Sequence, residues 1–250
     1  MLDVRNLTVQ FAGLTAVSDL SFSVKPGEIF TIMGPNGAGK TTAFNAIGGF
    51  TRPKTGSVTF NGHTLTGLPP EKIAGLGIRR TFQSNGILRE MTVLENVLTG
   101  LELDTHSTLL GVITGMPGSA RAEREATARA RQTLGEMGIT DLADRMAGDL
   151  SFGQQRMVEI ARAIAAGASL IMLDEPAVGL SPSERGHLGD ELKKLAAQGI
   201  AVLLVDHVQD LVMAVSDQVL VMNYGKKIAQ STPQEVRQNK EVLEAYLGYA

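Results

Sequence analysis

Gly34-Pro35-Asn36-Gly37-Ala38-Gly39-Lys40-Thr41 is a complete G-x-x-x-x-G-K-T run. Glycines at these positions let successive backbone N–H groups turn inward toward phosphate oxygens, and a helix starting at the lysine adds its positive end. Lys40 then neutralises the outer phosphates, the Thr41 hydroxyl can ligate Mg²⁺, and Thr42 is placed to reach the innermost phosphate. A second group is Asp174-Glu175, which closes the apolar run Leu170–Leu173. In a parallel sheet that end of a strand faces the ligand, so Asp174 can hold Mg²⁺ and Glu175 can polarise a water as general base. Acidic residues also gather at helix starts, and the pair alone fits that reading too. A third group is Ser151-Phe152-Gly153-Gln154, just ahead of an amphipathic run. The spacing S-x-x-Q is a capping box, which accounts for Ser151 and Gln154 without any ligand. The same helix start is a second candidate phosphate-binding element.

Positioning these groups requires alternating strands and helices. Residues 2–11 and 15–25 read as strands, with Leu7, Val9 and Phe11 on one face of the first. Glu28–Met33 is an apolar strand that stops at Gly34, and Thr41–Ile47 follows at helical period. Val58–Phe60 is a short strand before the turn Asn61-Gly62. Residues 87–156 read as a mainly helical insertion, with helices near 94–101 and 121–138 and a loop over 102–120. Alternation then resumes: a helix through Met157–Ala165, strands 170–173 and 201–205, and a helix over 184–197. A hairpin about Asn223-Tyr224-Gly225 and one helix over Val236–Leu247 end the chain. The continuous apolar strands predict a parallel sheet covered on both faces. This sets an α/β core at 1–86 and 157–230, the helical insertion between, and a C-terminal helix within 231–250.

Composition narrows the function. The 250 residues suit one large domain or two small ones, and 43% hydrophobic with 20% charged residues is a globular balance. The net charge of -3 lacks the basic excess of a nucleic-acid binder. The absence of cysteine excludes disulfides, thiolate metal sites and cysteine nucleophiles. The start has no apolar signal-peptide core, and no apolar stretch approaches the roughly 20 residues of a membrane span.

The chain resembles, over essentially its whole length, the nucleotide-binding subunit of an ATP-binding cassette (ABC) transporter. Lys40 and Asp174 stand at its two Walker motifs. Leu150–Gln154 stands at its signature sequence, with Phe152 where the family usually has glycine. Ile78–Gln83, Met91–Val97, Asn223–Ala229 and Glu244–Gly248 resemble the subgroup serving uptake of branched-chain amino acids and related amides. The resemblance implies a P-loop NTPase fold: a RecA-like core with an antiparallel β subdomain and an inserted helical subdomain. It implies that Gln83 senses Mg²⁺ and the γ-phosphate, that His207 is a switch histidine at the γ-phosphate, and that Phe11 stacks on adenine with Val17 nearby. It also implies two chains sandwiching two ATP molecules, with Ser151, Gly153 and Gln154 facing the partner's ATP. A membrane permease and an extracytoplasmic binding protein complete the implied assembly, which places the chain at the cytoplasmic face of the membrane. Ser181 departs from the Asp or Asn usual there and also reads as a helix cap before Pro182. The alternatives are a soluble ABC switch acting on DNA or ribosomes, whose relatives carry two cassettes or a long coiled-coil insertion, and a small-molecule kinase, which leaves Ser151 and His207 unexplained.

Overall fold

The computed structural model describes residues 1–81, 86–101 and 117–247. The chain forms two compact units, Met1–Arg80 with Ser169–Ala250, and Thr81–Ala168.

The first unit begins with β1 (Leu2–Phe11), β2 (Leu14–Val24), β3 (Ile29–Met33), α1 (Lys40–Ile47), β4 (Thr55–Phe60), the two-residue β5 (His63–Thr64), α2 (Pro70–Gly75) and β6 (Ile78–Arg80). An antiparallel sheet runs β2-β1-β4-β5. Leu2, Val4, Leu7 and Val9 of β1 are buried, whereas Phe11, at the strand end, is exposed. The register with β2 shifts after Val9, and Gln10 and Phe11, which pair with Thr15 and Leu14, are both exposed.

Later in the chain the unit adds β7 (Leu170–Asp174), β8 (Ala201–Val205), β9 (Gln218–Asn223) and β10 (Lys226–Ser231). The second sheet runs β10-β9-β3-β8-β7-β6. Pairings from β9 through β6 are parallel, and only β10 is antiparallel. Every residue of β3, β7 and β8 is buried, which is why these strands read as nearly continuous apolar runs, with Thr31 the polar exception inside β3. The register sets Ile32 beside Val205 and Val205 beside Asp174, so three strands end at one level.

The second unit holds α3 (Val93–Leu101), α4 (Pro117–Glu136) and α5 (Phe152–Ala165), with α3 packed on both others. Helix α4 starts at Pro117, ahead of the 121 read from composition. The core boundary drawn at 157 falls inside α5, which packs within this unit as one unbroken helix. Back in the first unit lie α6 (Pro182–Ala197), α7 (Gln209–Val215), α8 (Pro233–Gln238) and α9 (Lys240–Leu247). The expected single C-terminal helix is two. Asn239 is extended at φ −73 and ψ 124, and its Oδ1 accepts the Val242 N–H at 3.2 Å, so it closes α8 and caps α9.

Candidate functional site

The phosphate loop leaves the carboxyl end of β3 and enters α1. Gly34, Gly37 and Gly39 all have positive φ. A Cβ on Gly34 would lie 2.2 Å from the Met222 carbonyl oxygen, and one on Gly39 would lie 2.4 Å from that of Ala16. These two glycines are therefore needed for close backbone approach as well as for conformation. Gly225 N–H donates to the Ala38 carbonyl at 3.0 Å, and Ser18 N–H donates to Gly225 O at 2.8 Å, so the β9–β10 turn braces the loop against β2. Lys40 is buried, and its Nζ donates to Gly34 O at 2.7 Å and Pro35 O at 2.9 Å. Burial lowers its pKa from the ordinary lysine value, against the pull of Glu175 and Asp174.

A cavity of about 410 Å³ opens over this loop. It is lined by Asn36 through Thr42, by Glu175, and by Leu14, Thr15, Ala16, Tyr224 and Gly225. Phe11 lies outside that lining, at the rim strand opposite Leu14. Val17 is fully buried in the core cluster, and Thr15 and Ala16, on the other side of the register shift that pairs Val9 with Val17 but Gln10 with Thr15, line the cavity. Tyr224, at φ 45 in the β9–β10 turn, also lines the cavity; the sequence marked it only as a turn residue.

Asp174 ends β7 and is buried. Its Oδ2 accepts from Arg80 Nη2 at 3.1 Å, and its Oδ1 has no hydrogen-bond partner among the described residues. Burial pushes its carboxyl up from the ordinary aspartate range, and Arg80 opposes that shift. Glu175 follows in a turn, at φ 48, a left-handed conformation that costs a non-glycine residue free energy and turns its side chain into the cavity. The helix-start reading of the acidic pair therefore does not hold: the next helix, α6, begins at Pro182, capped by Ser181 with Glu184 completing a capping box.

His207 Nδ1 lies 3.6 Å from Glu175 Oε1. The preceding Asp206 is fully buried, and it was missed from the sequence although a carboxylate ending the run Ala201–Val205 is a visible signal. Its Oδ1 accepts the N–H groups of His207 at 2.7 Å and Val208 at 2.8 Å; its Oδ2 accepts that of Ala177 at 3.1 Å. Asp206 thus fastens the histidine's turn to the turn after the acidic pair.

Ser151 and Gln154 form both bonds of the capping box on α5, with Ser151 Oγ accepting from Gln154 N at 3.3 Å and Gln154 Oε1 accepting from Ser151 N at 3.1 Å. Gly153 is buried and Phe152 is exposed. Gln83 lies outside the described residues.

The arrangement suits a nucleoside triphosphate: a backbone cradle, a lysine, a carboxylate with an open oxygen and a second carboxylate beside a histidine. The ABC transporter family model matches residues 17–178, and a branched-chain amino acid ATP-binding cassette transporter model matches residues 226–250. The high-affinity branched-chain amino acid transport ATP-binding protein BraF of Pseudomonas aeruginosa is 41% identical over 100% of this chain and 98% of its own. The ADP conformation of an ATP-binding cassette of an ABC transporter superposes with TM-score 0.86 at 32% identity, covering 99% of this chain and 98% of that one. A dimeric post-hydrolysis cassette bound to ADP and Pi gives TM-score 0.76 at 26% identity, covering 93% and 99%. Sequence likeness over the full length and the geometry of the cavity agree, and the chain belongs to the ABC transporter family, among its ATP-binding cassettes.

Proposed function

We propose that this chain is the ATP-hydrolysing subunit of an importer for branched-chain amino acids or related amides. The observation that carries the ATPase chemistry is the common level at which β3, β8 and β7 end: Lys40 and Glu175 line the cavity there, His207 lies 3.6 Å from Glu175, and Asp174 is near enough to Lys40 to act on its charge. The substrate class rests on the full-length likeness to BraF, which also favours this reading over a soluble switch on DNA or ribosomes.

In this reading the N–H groups of Gly37 through Thr42 bind the phosphates. Lys40 exchanges its two loop carbonyls for phosphate oxygens. Thr41 and Asp174 hold Mg²⁺. The partnerless, buried Oδ1 of Asp174 fits that ion or one of its waters, and a single carboxylate suits a metal held mainly by phosphates and water. When bound, Mg²⁺ neutralises charge developing on the transferred phosphoryl group. Glu175 takes a proton from the attacking water, and His207 sits at the same side to contact the γ-phosphate. Gln83 completes the metal and γ-phosphate sensing. A second cassette supplies Ser151, Gly153 and Gln154 to this ATP, and each chain therefore holds half of each site. No helix among the described residues is long and apolar enough to cross a membrane. The membrane work falls to permease subunits that receive substrate from an extracytoplasmic binding protein, with this chain docked at the cytoplasmic face.

Glu175→Gln tests the chemistry. ATP binding should persist, turnover should fall by about 10²–10⁴-fold, and an ATP-dependent dimer should accumulate on gel filtration. Turnover equal to that of the wild type would remove Glu175 from the general-base role.

A further inference from the structure

Arg80 ends the three-residue edge strand β6, where it pairs in register with Met172, two residues before Asp174. Its side chain is nearly buried and crosses the carboxyl edge of the sheet. The guanidinium lies over the ring of Phe44, 4.8 Å from its centroid, and over that of Phe50 at 5.1 Å. In its plane, Nη1 donates to Asn45 Oδ1 at 2.6 Å and Nη2 donates to Asp174 Oδ2 at 3.1 Å. Only a planar, forked cation can stack on aromatic faces and serve two acceptors edge-on; a lysine ammonium cannot do both.

Phe44 and Asn45 belong to α1, the helix that carries Thr41. Arg80 therefore ties together the two elements that bear the proposed metal ligands. It also occupies one oxygen of Asp174, and the other has no partner among the described residues. A buried ion pair adds little to stability on balance, so its value here lies in fixing geometry.

We infer that Arg80 is a positioning residue for the metal: it sets the rotation of the Asp174 carboxylate, presents Oδ1 to the site, and holds β7 at a constant distance from α1. This rests on the reading of Thr41 and Asp174 as metal ligands. Two effects of removing Arg80 oppose each other. Loss of a nearby cation would tighten metal binding, and loss of the fork would let the carboxylate turn away. Arg80→Lys keeps the charge and loses the fork, so it separates them.

The test uses the full chain with a non-hydrolysable ATP analogue and Mn²⁺ as the probe, read by electron paramagnetic resonance. Analogue affinity in EDTA is measured in parallel. Arg80→Lys and Arg80→Met should each weaken Mn²⁺ binding about 10-fold or more, the range expected for loss of a ligand's supporting partner, with analogue affinity in EDTA unchanged. Wild-type Mn²⁺ affinity in Arg80→Lys, or tighter binding in Arg80→Met, would overturn the inference in favour of simple charge repulsion. Equal loss of analogue binding in EDTA would overturn it in favour of a structural prop. Asp174→Asn distinguishes the parent reading: wild-type Mn²⁺ affinity in that variant sinks Asp174 as a metal carboxylate, whereas weakened affinity there with Arg80 variants unchanged sinks the positioning role alone.

Discussion

Replacing Asp206 by alanine removes the acceptor of three backbone N–H groups, those of His207, Val208 and Ala177. Asp206 is 0% exposed, and the bond to Ala177 is buried while the other two are partly so. A backbone donor left without a partner costs about 1–3 kcal/mol, less where water can reach it. Three such donors, two of them near solvent, place Asp206→Ala at about 3–5 kcal/mol of lost stability. Asparagine behaves differently. Its carbonyl oxygen can keep the His207 and Val208 bonds, and its amide must face the Ala177 N–H donor to donor. Asp206→Asn should therefore cost about 1–3 kcal/mol, one unmatched donor pair. Urea unfolding of the full chain, extrapolated linearly, measures both values. Turnover should follow the same order, since the bonds fix the turn that carries His207 3.6 Å from Glu175. Equal destabilisation by the two substitutions, or less than about 0.5 kcal/mol for either, the range of an ordinary surface change, would refute the argument that bond geometry at Asp206 holds these turns together.

Gly37 and Gly39 both have positive φ, but a Cβ on Gly37 meets nothing within 4 Å whereas one on Gly39 meets Ala16 O at 2.4 Å. Gly37→Ala should cost about 1–2 kcal/mol of conformational strain and Gly39→Ala a further 1–3 kcal/mol or so of overpacking; equal melting temperatures for the two would contradict this. Burial raises the Glu159 carboxyl from its ordinary range against Arg156, the Gly86 N–H and Arg162. A carboxyl raised in the folded state takes up a proton on folding, so its stabilising contribution is full below about pH 4.3 and declines as pH rises through the folded value. Glu159→Gln should remove that decline from a plot of melting temperature against pH, and an unchanged slope would count against it. Ser151→Ala breaks the capping box at a cost of about 1 kcal/mol, and Ser151→Arg should leave ATP binding by one chain intact and abolish turnover. Full turnover in the arginine variant would reduce Ser151 to a cap.

The glycine-rich loop was legible because its pattern is local: eight consecutive residues carry the three glycines, the lysine and the Thr41 hydroxyl. Strands β3, β7 and β8 were legible for a related reason, since burial on both faces leaves Thr31 as the one polar residue inside these runs before Asp174 ends β7. The caps at Ser151 and Ser181 each span four residues and were equally plain. Strand β6, with three residues, is too short to show a period. The break at Asn239 turned on one side-chain oxygen reaching Val242.

What the sequence determined by itself is the set of chemical groups and the elements that bear them, because both arise from contacts within one turn or one strand. The tertiary structure decided which of those groups meet. Arg80 reaches Asp174 across 94 positions, and Asp206 reaches Ala177 across 29. The hairpin turn at Tyr224-Gly225 and the strand start Leu14–Ala16 meet at one cavity from opposite ends of the chain. Strand order and register set these meetings, and both minimise the free energy of the whole sheet, which no short stretch of sequence contains.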